Sequence, residues 1–287
     1  MPVGSKVKQV VVAWFVAGTL AGSVTRVQAQ ASGIAAPNPT QSNVQETDRR
    51  DAASIQVPMV NYFALGGSAK TDFEGTALTS NAKGLAQVAI TKEGSVSLKV
   101  QFSGLDTPTK FGNEYLTYIL WAVTPKGQPF KIGELAVAGD TARLVGSTVL
   151  RTFGMLITAE PYAAVTRPSS LVVLAGKSNG AAQPPFAPCE LLRDGYAPAG
   201  YKFEPIDTSS GYAPELVQAL NARRIATIAQ AEKYAPQSFQ SAEDLYQYMV
   251  SWAVHEKKPS KKLLQVANNV TGTYEDARAA AMRQPHP

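Results

Sequence analysis

Apolar side chains fall at every second position in two neighbouring runs, Ala86, Val88 and Ile90, then Val96, Leu98, Val100 and Phe102, with Glu93-Gly94 between them. Successive side chains of a strand point to opposite faces, so this alternation predicts a hairpin with one buried face. Tyr115–Val123 and Gly154–Ala159 are continuous apolar runs, which predict central strands covered on both sides. From Ile55 to Lys177 such runs are short, rich in β-branched and aromatic residues, and separated by Gly, Pro, Asn and Asp. About seven strands over this span predict an antiparallel, immunoglobulin-like β-sandwich.

After Pro214 the period changes to that of a helix. Val217, Leu220, Ile225 and Ile228 form one stripe. Phe239, Ala242, Tyr246, Met249 and Ala253 form a second, and Leu263, Val266, Val270, Tyr274, Ala277 and Ala281 a third. Pro236 and Pro259 separate the helices, and Ser238 and Ser260 are candidate N-caps. Three one-sided helices bury their stripes most simply against one another, as a three-helix bundle. The stretch between the two patterns is rich in Pro and Gly without a sustained period, and predicts a linker. Tyr-Ala-Pro recurs at Tyr196, Tyr212 and Tyr234, where it punctuates the chain at or near helix starts. The predicted fold is therefore α+β in two domains. An N-terminal sandwich spans 55–177, a linker 178–212 and a C-terminal helical bundle 213–284.

The first 31 residues read as a cleavable secretory signal peptide. Lys6 and Lys8 precede an apolar run from Val10 to Val24, and small-residue patterns ending at Ala29 and Ala31 follow it. Gly18, Thr19, Gly22 and Ser23 interrupt that run, which falls short of the roughly 20 apolar residues a span needs. Cleavage near Ala29 or Ala31 places the mature protein in the periplasm or outside the cell, with no stable membrane span. Residues 32–54 are polar and Pro-containing, and predict a flexible tether. The formal charge of +5 falls to +2 once Lys6, Lys8 and Arg26 leave, which removes any general attraction to nucleic acid. Cys189 is the only cysteine, so no internal disulfide is possible and core burial must hold the fold.

Two stretches carry a resemblance to bacterial envelope families. Glu114–Leu135, with Tyr118, Trp121, Gly127, Pro129 and Gly133, resembles the Tyr-x-x-Trp, Gly-x-Pro, x-Gly pattern of anti-sigma-K-type extracytoplasmic domains. Phe153–Pro161, Thr166, Pro168 and Val172–Leu174 are similar to that domain's closing strand pair. The helical region, with Ala231-Glu232, Tyr234-Ala235-Pro236, Ala242-Glu243 and Tyr274–Arg278, resembles a short helical domain of unknown function found beside OmpA-like modules. The resemblance implies an extracytoplasmic β-sandwich whose role is interaction, not catalysis. Sigma regulation is not implied, because an anti-sigma factor needs a cytoplasmic helix bundle and a true span where this sequence reads as leader and tether.

Chemistry is sparse. The two histidines, His255 and His286, stand without a serine elbow, a His-Glu-x-x-His pair or a cysteine cluster, so neither a triad nor a metal site is expected, and no cofactor. Tyr115, Tyr118 and Trp121 either line a ligand groove or fill the sandwich core. Glu160, just before Pro161, ends a strand and is a candidate cap or cation ligand. Lys257, Lys258, Lys261 and Lys262 make a basic knuckle at the second helical turn, with Glu256 as its only acid. It either contacts anionic lipid heads or cell-wall polymer, or is simply a solvated turn. These readings converge on a non-enzymatic exported envelope protein whose partner is another envelope protein or a cell-wall component, with a small-molecule or glycan-binding sandwich as the alternative.

Overall fold

The structure is a computed structural model that describes residues 53–177, 185–192, 195–207 and 211–284. The leader, its cleavage sites, all but the end of the tether and His286 lie outside the described residues. Along the chain come β1 (Ala53–Pro58), β2 (Val60–Asn61), β3 (Ser68–Gly75), β4 (Lys83–Ile90), β5 (Val96–Ser103), β6 (Thr117–Val123) and β7 (Pro129–Glu134). Then follow β8 (Ala136–Ala138), β9 (Thr141–Thr148), β10 (Thr152–Glu160), β11 (Val172–Gly176) and β12 (Phe186–Leu191). The helices are α1 (Pro214–Ile228), α2 (Ala231–Tyr234), α3 (Pro236–Ala253) and α4 (Lys261–Met282). The architecture is mixed α+β, with a large antiparallel sheet.

Strands β4 and β5 form the hairpin that their alternation predicts. Ala86 and Val88 on one strand and Val96, Leu98, Val100 and Phe102 on the other are buried, and Ile90 pairs with Val96. The loop closes with Thr91 N–H donating to Ser95 O at 2.8 Å, and Gly94 supplies the left-handed backbone, φ 79°. Gly84 is small for a reason: a Cβ there would stand 2.1 Å from the ring of Phe102, which packs edge-on against Phe73 at 5.1 Å.

The strands expected to form a two-sheet sandwich join instead in one antiparallel sheet, in the order β7-β6-β10-β11-β3-β4-β5-β9-β8, with β2 paired to β10 off this path. The sheet curls until its two ends approach each other. A Cβ on Gly146 of β9 would lie 2.7 Å from Ile132 of β7, and one on Gly133 of β7 would lie 3.2 Å from Leu144 of β9. β6 is buried throughout and β10 from Phe153 onward, as their continuous apolar runs predict. A separate two-stranded ribbon, β1 with β12, crosses one face of β10. The ribbon was hidden in the Pro/Gly-rich stretch because Pro188 interrupts its alternation. Even so, Ala187, Cys189 and Leu191 point inward, and Ile55 pairs with Cys189. Cys189 is buried, and burial pushes its thiol up to about 11, so it stays protonated and unreactive.

The helices start where Pro can occupy the first turn or where a hydroxyl can cap. Pro214 and Pro236 open α1 and α3, and Ser260 caps α4, its Oγ accepting from Leu263 N–H at 3.2 Å. Ser238 lies inside α3, whose N-cap position is Ala235. Helix α4 packs against both α1 and α3. It buries the expected Leu263, Val270, Tyr274, Ala277 and Ala281, and also Thr271, Glu275 and Arg278. One continuous hydrophobic cluster of described residues runs from Val57 in the ribbon to Ala281 in α4. Among the described residues no helix is long and apolar enough to cross a membrane.

Gly154 of β10 tests where the ribbon sits. A Cβ there would lie 2.5 Å from both the Pro58 carbonyl oxygen and Val57 Cγ1, and 2.6 Å from Met59 Cε. Gly154→Ala is expected to destabilise the protein by about 1–3 kcal/mol in urea unfolding. An unchanged midpoint would mean that the ribbon does not press on β10.

Candidate functional site

Trp121 and Tyr118 are 1% and 0% exposed, and Tyr115 is buried beside them. They therefore do not line a groove. Trp121 donates its indole N–H to Thr158 Oγ1 at 2.8 Å, and Tyr118 donates its hydroxyl to the Asp106 carbonyl at 2.7 Å. Burying an aromatic ring while its polar tip keeps a partner makes a core residue. As core residues, Tyr115, Tyr118 and Trp121 offer almost no solvent-facing surface to a ligand.

A polar seam lies between the sheet and the helices. At the C-terminal end of β10, Glu160 is fully buried, and three donors converge on its carboxylate. Ser169 N–H reaches Oε1 at 2.7 Å, the Thr158 hydroxyl shares that oxygen, and Tyr196 O–H reaches Oε2 at 2.6 Å. Loss of hydration raises its pKa to about 7, the three donors opposing that rise without cancelling it. Tyr196 lies between Tyr115 and Tyr162, with ring centroids 6.3 and 6.2 Å away, and under the guanidinium of Arg278 at 5.3 Å. Arg278 grips Glu275 with both Nε and Nη2, at 2.7 and 2.9 Å. Tyr162 donates to Glu275 Oε2 at 2.8 Å from 113 residues away in the chain. Burial and the neighbouring carboxylates hold the Tyr162 and Tyr196 hydroxyls well above their ordinary range, so both remain donors.

A second set of bonds runs along α1. Gln218 accepts from Ala163 N–H at 2.7 Å and donates to Glu134 at 2.6 Å, and Asn221 donates to the Glu114 and Pro161 carbonyls at 2.7 and 3.0 Å. Arg224 lies over Phe203 at 4.8 Å and donates to the Glu204 and Asn113 carbonyls. Arg224 Nε is buried without a hydrogen-bond partner, whereas the other polar groups named here are engaged within the protein, so the seam holds parts of the fold together. Among the described residues no group of three or more His, Cys, Asp or Glu could hold a metal ion.

The four lysines behave differently. Lys257 and Lys258, on the turn from α3 to α4, and Lys261 and Lys262, in the first turn of α4, are all exposed. Beside them the structure adds what the helix-stripe reading passed over. Tyr248, 54% exposed, stacks edge-on with Trp252 at 5.8 Å, and Val254, 55% exposed, follows. Glu256 ties this corner together, accepting from the Trp252 indole N–H at 2.8 Å and the Ser260 backbone N–H at 2.6 Å. The Ser260 and Trp252 hydrogen bonds hold its carboxyl below the ordinary range, so it stays ionised. The sequence signal was available: two aromatics four residues apart, on the face away from Phe239 and Ala242, just ahead of a lysine cluster.

Two surface depressions complete the picture. One, of about 540 Å³, lies on the outer face of β3–β5 between Lys70, Gln87 and Lys99. The other, of about 750 Å³, lies between the β6–β7 turn and β12, at Lys126, Phe130, Arg167 and Glu190.

Glu160 makes stability depend on pH. Its folded-state pKa lies above the ordinary 4.5, so the native state binds the proton more tightly than the unfolded chain does. Its contribution is full below pH 4.5, declines as pH rises towards 7 and is constant above. The wild type is expected to lose about 3 kcal/mol more than Glu160→Gln across this window, measured by denaturant unfolding at stepped pH. Parallel pH profiles would contradict the buried carboxyl.

No protein family matches the chain, and neither does a curated protein or a solved structure.

Proposed function

We propose that this protein is a non-enzymatic, exported component of the bacterial cell envelope that acts by binding an envelope protein or a cell-wall component. In this reading the leader pattern of residues 1–31 delivers it to the periplasm or the exterior. The β-rich part, akin to anti-sigma-K-type extracytoplasmic domains, and the three long helices, as a bundle, then serve together as the interaction body. One contrast carries the proposal. The seam's own acid–base groups, Glu160, Tyr162, Tyr196 and Glu275, are buried and committed to internal bonds, whereas four lysines stand exposed from the α3–α4 turn into the first turn of α4. Four like charges that close attract an anionic surface at about 1 kcal/mol each.

The test is retention on isolated cell envelopes, comparing the wild type with a variant carrying Lys→Glu at 257, 258, 261 and 262. Charge reversal is expected to weaken retention at least about tenfold at low salt, and added salt to weaken wild-type retention as well. Equal retention of the two proteins would remove the lysine turn from the function.

A further inference from the structure

We propose that the α3–α4 corner docks on an anionic lipid bilayer, with Trp252, Tyr248 and Val254 entering the headgroup region and the four lysines engaging lipid phosphates. This rests on the reading that the lysine turn is the contact surface, and it names the partner of that surface.

Charge alone would suit any polyanion. The apolar side chains beside the lysines narrow the choice. An anionic bilayer is a surface that takes up an indole, a phenol and an aliphatic valine as well as the ammonium groups. The boundary between headgroups and acyl chains accommodates all three: Trp and Tyr rings are favoured there because one end is apolar and the other polar. Elsewhere in α3 the aromatics Phe239 and Tyr246 are buried against α4, while Tyr248 remains largely in solvent and Trp252, half-buried against the core, stacks on it. Val254 adds an apolar group at the point where the helix ends.

The corner is also preorganised. Glu256 bridges Trp252 at the end of α3 to Ser260 at the start of α4, so the indole and the lysines on either side of Ser260 keep a fixed relation. Glu256 is the only acid between Val254 and Lys262, and both of its oxygens are engaged, so its charge is directed inwards to the turn. A corner held in this way loses little freedom on docking. Basic residues around an apolar contact are the composition of interfacial anchors in general.

Trp252 is its own reporter. The full chain contains Trp14, Trp121 and Trp252, and Trp121 is buried in the core. Subtracting the emission of Trp252→Phe from that of the wild type isolates Trp252, and anything contributed by residues 1–31 is common to both. The probes are vesicles of phosphatidylcholine alone and vesicles with a third phosphatidylglycerol, each with and without acyl-chain bromines. With phosphatidylglycerol vesicles the Trp252 difference spectrum is expected to shift to shorter wavelength and to be quenched by bromine, and with phosphatidylcholine alone to stay unchanged. Lys→Glu at 257, 258, 261 and 262 should weaken the response on the order of a hundredfold in lipid concentration. Val254→Asp, at an exposed position that folding does not require, should weaken it as well.

A Trp252 spectrum identical with and without anionic vesicles overturns the inference, whatever else binds. So does a shift that appears equally with phosphatidylcholine, or that survives charge reversal. If isolated envelopes retain the protein through its lysines while Trp252 stays silent on vesicles, the envelope reading stands and the bilayer does not. If charge reversal leaves envelope retention unchanged, the envelope reading itself fails.

Discussion

Two carboxylates buried at the junction of sheet and helices, Glu160 and Glu275, constrain what surrounds them. Removing a carboxylate from water costs several kcal/mol unless donors or an opposite charge replace the lost hydration. Glu160 is therefore encircled by Ser169, Thr158 and Tyr196, and Glu275 by Arg278, Tyr162 and Thr166. Tyr196 belongs to the segment between sheet and helices and Tyr162 to the loop after β10, so each bond ties one part of the chain to another. Arg278 over the Tyr196 ring closes the circuit between the two carboxylates. Breaking one member exposes the cost of the others, which is how a modest number of bonds holds an α+β arrangement without a disulfide.

The parts legible in the sequence are those set by local periodicity. Alternation fixed the β4–β5 hairpin, the continuous apolar runs marked β6 and β10 as covered on both faces, and Ser260 announced the start of α4. What stayed hidden depends on contacts between distant residues. β12 is broken by Pro188 and becomes a strand by pairing with β1, more than a hundred residues earlier. The order β10-β11-β3 brings together strands from opposite ends of the β region, and no local pattern encodes it. Glu275 and Arg278 carry no inward signal in the sequence, because charged helix residues ordinarily face water; only the packing of Tyr162 and Thr166 against α4 turns that face inward.

The same division explains the candidate site. Tyr115, Tyr118 and Trp121 carried a resemblance in the sequence and are core residues, so their pattern serves burial. The lysine turn was legible as charge, whereas its aromatic half was not, because Tyr248 and Trp252 stand outside the apolar stripe of α3. A rigid seam on one side of α4 and a charged, aromatic corner at its start give the helix two roles. It anchors the fold through Glu275 and Arg278, and it presents a surface through Lys261 and Lys262.

Amide hydrogen exchange of wild-type and Arg278→Met protein tests most directly whether the seam makes sheet and helices one cooperative structure. The substitution leaves Glu275 buried without its partner, a loss worth about 3–5 kcal/mol. If the seam couples the two parts, amides of β6, β10 and α4 should lose protection by the same factor. Loss confined to α4, with β6 and β10 as protected as in the wild type, would contradict the account.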